Sequence, residues 1–411
     1  MNKRVYTVIL SSLVLVLSSA VAQVELTVAG WSSSPEEQAF LDAQLAAFTE
    51  ATGIAVEFVA SPDYTTTQQT AFASGDYANV FYVDSSKLSD WVAAGVVADG
   101  TGQIETPEGI YPALLDVFTV DGATYCPPKD YATMGLQYNK DLFDAAGVAY
   151  PTNDWTWDDL RAAAEALTDA EAGIIGLITP ADLPRFLPFM YQAGGDLFDD
   201  DGNYAFDSDA TRVALEYYMS FAQDGIGGAP SAVDAGWGGE AFASGRAAMA
   251  MEGNWVINFM LQNAPDINWG VTELPAGPAG QSTMAFSVCY GVAADNDHPE
   301  ESWQLVNFLT GEDGAAFVGE TTFGSAPARP SAEDIYVSTW VPRAEGTGFD
   351  AASVQNFLNG TAYAERWVLP VGFQVFTDTF NSTLQQGFEA SVDADFIVEE
   401  VSLVAEEVLS E

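Results

Sequence analysis

Short apolar runs alternate with helical patterns over the first third of the chain. The apolar runs are rich in β-branched residues and end near Gly30 or a polar residue, as strands do. One helical pattern begins at Ser34 and Pro35, places apolar side chains on one face and ends before Gly53. We therefore expect an α/β lobe with a largely parallel sheet. The predicted strands cover 24–29, 54–60 and 79–83, and the predicted helices cover 34–52, 66–74 and 87–94.

The middle of the chain opens with an extended segment at 125–130. Its two prolines, Pro127 and Pro128, do not fit inside a central strand, which indicates a crossing or edge segment. Thr156 followed by Asp159 is a variant of the capping box and predicts the start of a helix. A strand is predicted over 134–138, helices are predicted over 139–146, 209–223, 239–248, 254–263 and 299–310, and the chain from about 331 is predicted to be mostly helical.

Residues 1–22 have the pattern of a secretory signal peptide. Lys3 and Arg4 precede an apolar run, and the small residues at 20 and 22 predict cleavage before Gln23. The apolar run is shorter than the ~20 residues of a membrane-spanning helix, which argues against an anchor. The sequence has no cysteine near the cleavage site, so a lipid anchor is not supported. We expect a periplasmic or extracellular protein.

The chain is strongly acidic, with 59 acidic and 12 basic residues and a net charge of −47, or −49 once the leader is removed with its two cations. This charge repels nucleic acid and anionic membrane surfaces, whose binding needs a basic footprint. Two interpretations of the acidity stay open: an acidic face that aids solubility, and adaptation to a salty medium that screens self-repulsion. One His and two Cys exclude a zinc site built from several such residues.

An acid-rich segment at 199–203 has two interpretations. Asp199, Asp201 and Asn203 alternate as ligands of a calcium loop do, but Ala210 stands where such a loop carries its glutamate. An Asp-Gly hairpin turn between apolar residues explains the segment more simply and is preferred.

Several segments, taken in order, resemble one family. The chain is similar to the extracellular solute-binding proteins of ABC transporters, in the sugar-binding group that includes the maltose-binding protein. Each fragment alone is weak, and their shared order carries the resemblance. The segments are FTEATGI at 48–54, ASGDYANV at 73–80, PKDYATM at 128–134, YNKDLF at 138–143, FASGRAAM at 242–249, GNW at 253–255 and SAPAR at 325–329.

The resemblance implies a two-lobed periplasmic-binding-protein fold of type II, with hinge-joined α/β lobes and a ligand cleft between them. Chain crossings are expected near 126–131, 286–290 and 324–330. The N-terminal lobe would comprise 23–127 plus 289–326, and the C-terminal lobe 128–288 plus 327–411.

A sugar offers apolar C–H faces to aromatic rings and a hydroxyl edge to carboxylates, amides and backbone groups. Candidates at strand ends or at the first crossing are Trp31, Asp84, Asp130 and Tyr131, because ligands of α/β sheets sit beyond the carboxyl ends of strands. The other candidates come from the resemblance or from glycine-flanked or charged positions. These are Phe186, Trp237, Trp255, Arg329 and Phe373.

Structural roles compete with several of these assignments. Asp84 is also placed to cap the next helix through Ser86, Phe373 to pack in a lobe core, and Arg329 to pair with surface acids. We interpret Trp155 and Trp157 as packing residues at a helix entry.

The basic residues near the predicted cleft are few, namely Lys87, Lys129, Arg185 and Arg329, which favours a neutral mono- or oligosaccharide over an anion. The resemblance implies a monomer that delivers this sugar to the permease subunits of an ABC importer, with no metal or cofactor. The alternatives are a receptor for a sugar phosphate or other small solute, a secreted carbohydrate-active enzyme such as a glycoside hydrolase, and an acidic surface-layer protein.

Cys126 and Cys289 both lie near predicted crossings in a protein expected in an oxidising compartment. They would either form a disulfide that braces the hinge or remain two buried thiols. The sequence leaves this choice open.

Overall fold

The computed structural model describes residues 24–31, 35–199, 201–319 and 324–410. The predicted leader at 1–22 and its cleavage site lie outside the described residues. Within the described ranges, no helix has the length and apolar character needed to cross a membrane.

The strands vary from two to twelve residues. In chain order they are β1 (Glu25–Gly30), β2 (Ala55–Ala60), β3 (Val80–Asp84), β4 (Thr119–Val120), β5 (Ala123–Thr124), β6 (Pro128–Asn139), β7 (Ile175–Ile178), β8 (Gly227–Gly228), β9 (Ala247–Gly253), β10 (Trp269–Thr272), β11 (Thr283–Val292), β12 (Ala326–Pro327) and β13 (Ala364–Arg366).

The helices flank these strands and dominate the C-terminal part of the chain. They are α1 (Pro35–Thr52), α2 (Tyr64–Ser74), α3 (Leu88–Ala93), α4 (Pro112–Val117), α5 (Lys140–Ala146), α6 (Trp157–Leu167), α7 (Leu183–Gln192), α8 (Asp209–Gln223), α9 (Gly238–Ala243), α10 (Val256–Asn263), α11 (Pro299–Thr310), α12 (Glu312–Ala315), α13 (Glu333–Arg343), α14 (Ala351–Asn359), α15 (Gln374–Phe388) and α16 (Ala394–Leu409).

The sheet follows the order β2-β1-β3-β11-β6-β9-β7-β8. The first three strands are parallel, as the alternating pattern predicts, and β11 joins them antiparallel from far along the chain. At the other end, β6 pairs antiparallel with β9 and β10, while β7 is parallel to β8 and β9. The α/β fold class is confirmed, with a mixed sheet.

Strands β6 and β11 connect the two halves of the sheet. The first half of β6 pairs with β11 and β12, and its second half pairs with β9 and β10. Pro128 is the first residue of β6, a position where the missing N–H is tolerated. The expected crossing segments therefore coincide with β6, β11 and β12, whereas the precise lobe boundaries stay a prediction.

A disulfide links Cys126, just before β6, to Cys289 in β11, with Cα atoms 5.7 Å apart. Both residues are fully buried in the core of the N-terminal half. The first of the two alternatives for these cysteines is therefore the observed one, and the bond fastens the two long strands to each other beside the crossing.

Each half has its own apolar core. The N-terminal core is formed by β1, β3 and α1 together with β11 and α11. The C-terminal core is formed by α6, α7 and α8 against β6 and β9, and by α15 and α16. Elements distant in sequence therefore complete each core. A third apolar cluster joins α9, α10, α13 and α14 to Phe40 of α1 and Leu114 of α4, so apolar packing also connects the two halves.

One predicted helix is partly wrong. The pattern at 239–248 predicts a helix throughout, but α9 ends at Ala243 and β9 begins at Ala247. Every residue of β9 is buried, and its first five side chains are alanine or methionine on both faces, so the strand lacks the alternation that marks a half-exposed strand.

The structure contains both the capping box and the hairpin turn that polar side chains predicted. The Thr156 and Asp159 side chains form the reciprocal bonds of a capping box at the start of α6. In the acid-rich segment, Phe198 bridges Tyr204 antiparallel and the Asp199 side chain accepts the N–H groups of Asp201 and Asn203. This is the hairpin turn that the sequence favoured.

Candidate functional site

A cavity of about 660 Å³ lies where the ends of β1 and β3 face α10 and the start of α7. It combines aromatic rings, charged groups and amides. The rings belong to Trp31, Trp237, Trp255, Phe259 and Phe286; the charged groups to Glu37, Asp84, Lys129, Asp130 and Arg185; and the amides to Asn258, Gln262 and Asn263.

Five predicted site residues line this cavity. Trp31 follows β1, Asp84 ends β3, Asp130 lies in β6, Trp237 precedes α9, and Trp255 precedes α10. They come from both halves of the sheet, so the structure brings them together only through the crossing strands.

Three predicted aromatic residues do not line it. Tyr131 follows Asp130 in β6, so the alternation of the strand turns its side chain to the opposite face, where it lies 5.9 Å from the Tyr111 ring. Phe186 is fully buried against Phe380, with ring centroids 5.0 Å apart. Phe373 is fully buried and stacks on Phe376 at 4.6 Å. The structure places all three in apolar cores instead of at the cavity.

Arg329 also lies away from this cavity, in a buried position. Its Nε donates to the Thr310 carbonyl oxygen at 2.6 Å and its Nη2 to Thr106 Oγ1 at 3.0 Å. Its Nη1 lies 3.4 Å from Glu312 Oε1. The guanidinium thus ties the segment after β12 to α11 and to the loop at Thr106, which is the structural alternative considered for it.

Trp255 is held at the cavity by a buried carboxylate. The indole Nε1 donates to Glu252 Oε2 at 3.1 Å, and Arg185 Nη2 donates to the same oxygen at 2.8 Å. The Arg185 guanidinium lies 5.5 Å from the Trp255 ring centroid, within cation–π range. Gly253 permits the ring to lie close, because a Cβ there would be 2.3 Å from the indole.

The charges of Glu252 and Arg185 stabilise each other. Burial raises the pKa of the Glu252 carboxyl, and the nearby Arg185 offsets part of that rise. Burial alone would lower the pKa of Arg185, but the charges of Glu252 and Asp182 and the hydrogen bond to Glu252 together outweigh it and raise that pKa. The pair behaves as one neutral, hydrogen-bonded unit in the cavity wall.

A second charged group lies on the floor of the cavity. Lys129 Nζ pairs with Asp130 and lies 3.4 Å from Glu37 Oε1, and it stands 5.1 Å from the Tyr82 ring centroid. Burial raises the pKa of Asp130, and Lys129 counteracts part of the rise. One cation therefore serves two buried carboxylates.

Asp84 has two functions in the structure. Its carboxylate accepts the Ser86 N–H at 2.9 Å and the Ser86 hydroxyl at 2.6 Å, which caps the turn after β3. The same side chain lines the cavity. Burial raises its pKa above the ordinary value of 3.8, and the Ser86 hydrogen bonds offset only part of the rise.

The other two tryptophans are fixed by edge-on ring contacts. Trp31 contacts Tyr64 and Tyr82 with centroids 5.3 Å and 5.1 Å apart. Trp237 contacts Phe259 at 4.8 Å, and Gly239 leaves the room that its indole occupies. Rings held by their edges keep their positions while a face stays available for stacking.

Sequence reasoning missed the face of α10 and the residue Glu37. Asn258 and Gln262, and likewise Phe259 and Asn263, are spaced four residues apart and share one side of this helix. That mixed amide and aromatic face was the signal available in the sequence. For Glu37 the sequence offers no signal beyond that of an acidic residue in the first turn of α1, where the helix dipole favours a negative charge.

Known proteins resemble this chain in sequence and, where a structure has been solved, in fold. A binding protein of Brucella abortus (strain 2308) is 24% identical over 418 residues, which covers 97% of this chain and 96% of the relative. An arabinooligosaccharide-binding protein of Halalkalibacterium halodurans is 25% identical over 198 residues, 46% of this chain and 44% of the relative. The structure of an ABC substrate-binding protein from Listeria monocytogenes in complex with cycloalternan superposes with a TM-score of 0.83 at 25% identity, covering 94% of this chain and 99% of that one.

The fold, the cavity between its halves and these likenesses agree with a family assignment. The sequence model described as bacterial extracellular solute-binding protein matches residues 43–364. The chain therefore belongs to the family of bacterial extracellular solute-binding proteins.

Proposed function

We propose that this protein is an extracytoplasmic receptor that binds a neutral mono- or oligosaccharide in the cavity and delivers it to the permease subunits of an ABC importer. The observation that carries the proposal is the lining of the cavity, where three tryptophans stand among carboxylates and amides. The receptor acts as a monomer and needs no cofactor for binding.

The lining suits the two chemical surfaces of a sugar. Trp31, Trp237 and Trp255 offer indole faces to the C–H faces of pyranose or furanose rings. Asp84 and the amides of α10 accept or donate hydrogen bonds at the hydroxyl edge. Three platforms in one cavity suit a ligand of more than one ring.

The binding energy is within reach of these contacts. Micromolar affinity corresponds to about −8 kcal/mol. Hydrogen bonds of about 1 kcal/mol each and one or two stacked rings reach that value after the cost of ordering is subtracted. Noncovalent contacts alone therefore suffice for a transport receptor.

Known relatives support the choice of ligand class. The Listeria monocytogenes protein was solved with cycloalternan, and the Halalkalibacterium halodurans relative is named for arabinooligosaccharides. Both descriptions support a saccharide over other classes of small solute.

Thermal-shift measurements test the proposal directly. The protein without its predicted leader is heated with a panel of neutral mono- and oligosaccharides, sugar phosphates and polyols. A neutral sugar at one hundred times its Kd is expected to raise the unfolding free energy by about 2.7 kcal/mol, visible as a higher Tm.

Recovery of the ligand provides the control for this experiment. The bound sugar should be recovered unchanged by chromatography after overnight incubation, as expected of a receptor. Turnover of the sugar would favour the hydrolase alternative. Stabilisation by a sugar phosphate with none by neutral sugars would contradict the neutral class, and stabilisation by no compound would contradict the sugar receptor.

The pH dependence of binding tests the role of Asp84. A carboxylate accepts hydroxyl hydrogen bonds through both oxygens, and protonation removes part of this capacity. Because the pKa of Asp84 is raised above 3.8, sugar affinity is expected to fall as the pH drops from 7 toward 4. The opposite sign applies to folding: a carboxyl whose pKa is raised on folding costs stability as it ionises, so this group stabilises the unliganded fold more at the acid end.

The Asp84→Asn variant isolates this group from the other acids of the cavity. Calorimetric titration at several pH values should show a weaker pH dependence for the variant than for the native protein. Identical pH profiles would rule out Asp84 as the titrating ligand contact.

A further inference from the structure

We propose that the buried carboxylate of Glu252 determines the charge specificity of the cavity, because it neutralises Arg185 from behind and leaves a site that accepts neutral sugars and excludes acidic ones. This inference rests on the proposed function of the cavity. It assigns a specificity-determining role to a residue that does not itself line the site.

The two partners differ in their exposure. The Arg185 side chain is 20% exposed and lines the cavity, whereas the Glu252 side chain is 1% exposed and lies behind it. Their closest atoms, Arg185 Nη2 and Glu252 Oε2, are 2.8 Å apart. A ligand therefore meets the guanidinium, while the neutralising charge is hidden in the wall.

The position of Glu252 is fixed by its surroundings. Its backbone N–H donates to Gln137 Oε1 and its carbonyl oxygen accepts from Gln137 Nε2, both at 2.8 Å. Its side chain needs the glycine at 238, where a Cβ would lie 2.3 Å from Oε1. A buried carboxylate without a partner is strongly unfavourable, so the arginine and the glutamate depend on each other.

The position of the Trp255 ring depends on the same carboxylate. Glu252 Oε2 accepts the Trp255 indole N–H at 3.1 Å, and Arg185 lies over the ring. The guanidinium also lies 6.0 Å from the Phe286 ring centroid. The carboxylate thus sets both the charge and the orientation of one wall of the site.

The remaining charges of the cavity do not favour an anion. Among the described residues that line it, the basic side chains are Lys129 and Arg185. Lys129 pairs with Asp130 and Glu37, as Arg185 does with Glu252. Asp84 adds a further carboxylate. An acidic sugar would therefore meet cations that are already neutralised and an excess of negative charge.

Removing the charge of Glu252 should reverse this preference. Glutamine keeps the size of the side chain and an oxygen that accepts the Trp255 indole. Among the described residues, the Arg185 guanidinium would then face the cavity with only the partly exposed Asp182, whose Oδ1 lies 3.9 Å from Nη1, as its counter-charge. Glu252→Gln is expected to bind an acidic sugar about tenfold or more tightly than the native protein, and a neutral sugar with nearly unchanged affinity.

Calorimetry and thermal shifts test this with three probes: the neutral sugar that stabilises the native protein, glucuronate, and inorganic phosphate. Asp182→Asn is the matched control. Asp182 Oδ1 lies 3.9 Å from Arg185 Nη1 and is partly exposed, and asparagine can keep the cap that Asp182 provides for α7. This control removes one charge near Arg185 but should not create anion binding.

The outcomes separate the proposal from simpler explanations. A merely structural role of Glu252 predicts that the variant binds the neutral sugar more weakly and still binds neither glucuronate nor phosphate, which would overturn the proposal. So would Glu252→Gln gaining no affinity for glucuronate or phosphate. Binding of inorganic phosphate reports on the charge at Arg185 even if no neutral sugar binds. Failure of this inference can therefore be distinguished from failure of the proposed function.

A further test uses the native protein alone and therefore does not depend on whether a variant folds. A neutralised cation in an acidic cavity predicts that glucuronate and phosphate do not stabilise the native protein at low salt. Any weak binding should strengthen with added salt, which screens repulsion. Phosphate binding that is strong at low salt and weakens with salt would show an available cation and would contradict the proposal.

Discussion

Replacement of Trp255 by alanine is expected to lower the affinity for the bound sugar by about 30- to 1,000-fold, equivalent to about 2–4 kcal/mol. Trp255 lines the cavity and is anchored through its indole N–H to Glu252 and by an edge-on contact to Phe286 with centroids 5.4 Å apart. A ring held on its edges loses little entropy on binding, so its truncation removes most of its stacking contribution. Isothermal titration calorimetry with the sugar found by thermal shift measures the loss.

Trp155 offers the matched control for this truncation. It is half-buried and packs near Phe143 at the entry to α6, and it does not line the cavity. Trp155→Ala should lower the Tm while leaving the affinity within about threefold of native. Equal affinity losses in the two variants would show a general effect of tryptophan removal and would contradict the role of Trp255.

Removal of the disulfide is expected to have the largest effect on stability. Cys126 and Cys289 are 163 residues apart, and closing a loop of that length restricts the unfolded chain by about 5 kcal/mol in the chain-entropy estimate. The double variant Cys126→Ala, Cys289→Ala should therefore unfold at a markedly lower urea concentration. Urea denaturation followed by circular dichroism measures the change in midpoint and in slope.

Chemical reduction supplies the control for the disulfide prediction. Dithiothreitol should shift the native protein toward the midpoint of the double variant and leave the double variant unchanged. A thiol titration of the unfolded, unreduced native protein should find no free thiol. Equal midpoints for native and double variant would contradict the stabilising role of the bond.

The elements whose signals are local were predictable from sequence. The helices at 209–223 and 299–310 coincide with α8 and α11, since a capping serine at Ser208 and a proline at Pro299 mark their starts. The antiparallel insertion of β11 between β3 and β6 was not readable from periodicity. It depends on pairing between distant segments, and the family resemblance alone indicated a crossing there.

The candidate site was predictable where position along a strand decides the direction of a side chain. Trp31 and Asp84 follow from their places at strand ends, and both line the cavity. Phe186 and Phe373 do not line the cavity, because the face that a helical or loop residue presents depends on how the lobe packs. The partnership of Glu252 with Arg185 joins segments 67 residues apart, which only the folded chain brings into contact.

The long-range insertion of β11 also orders the events of folding. Val80 at the start of β3 pairs with Val292 at the end of β11, and α11 contributes Trp303 and Leu305 to the same core. The chain is synthesised from its N-terminus. This core therefore cannot be completed until more than two hundred residues have been added after β3. Such distant pairing slows folding, because the entropy of closing the intervening chain opposes it before the contacts form. Completion of the core of the N-terminal half is thus expected to wait for β11 and α11, although its first strands are the first to be made.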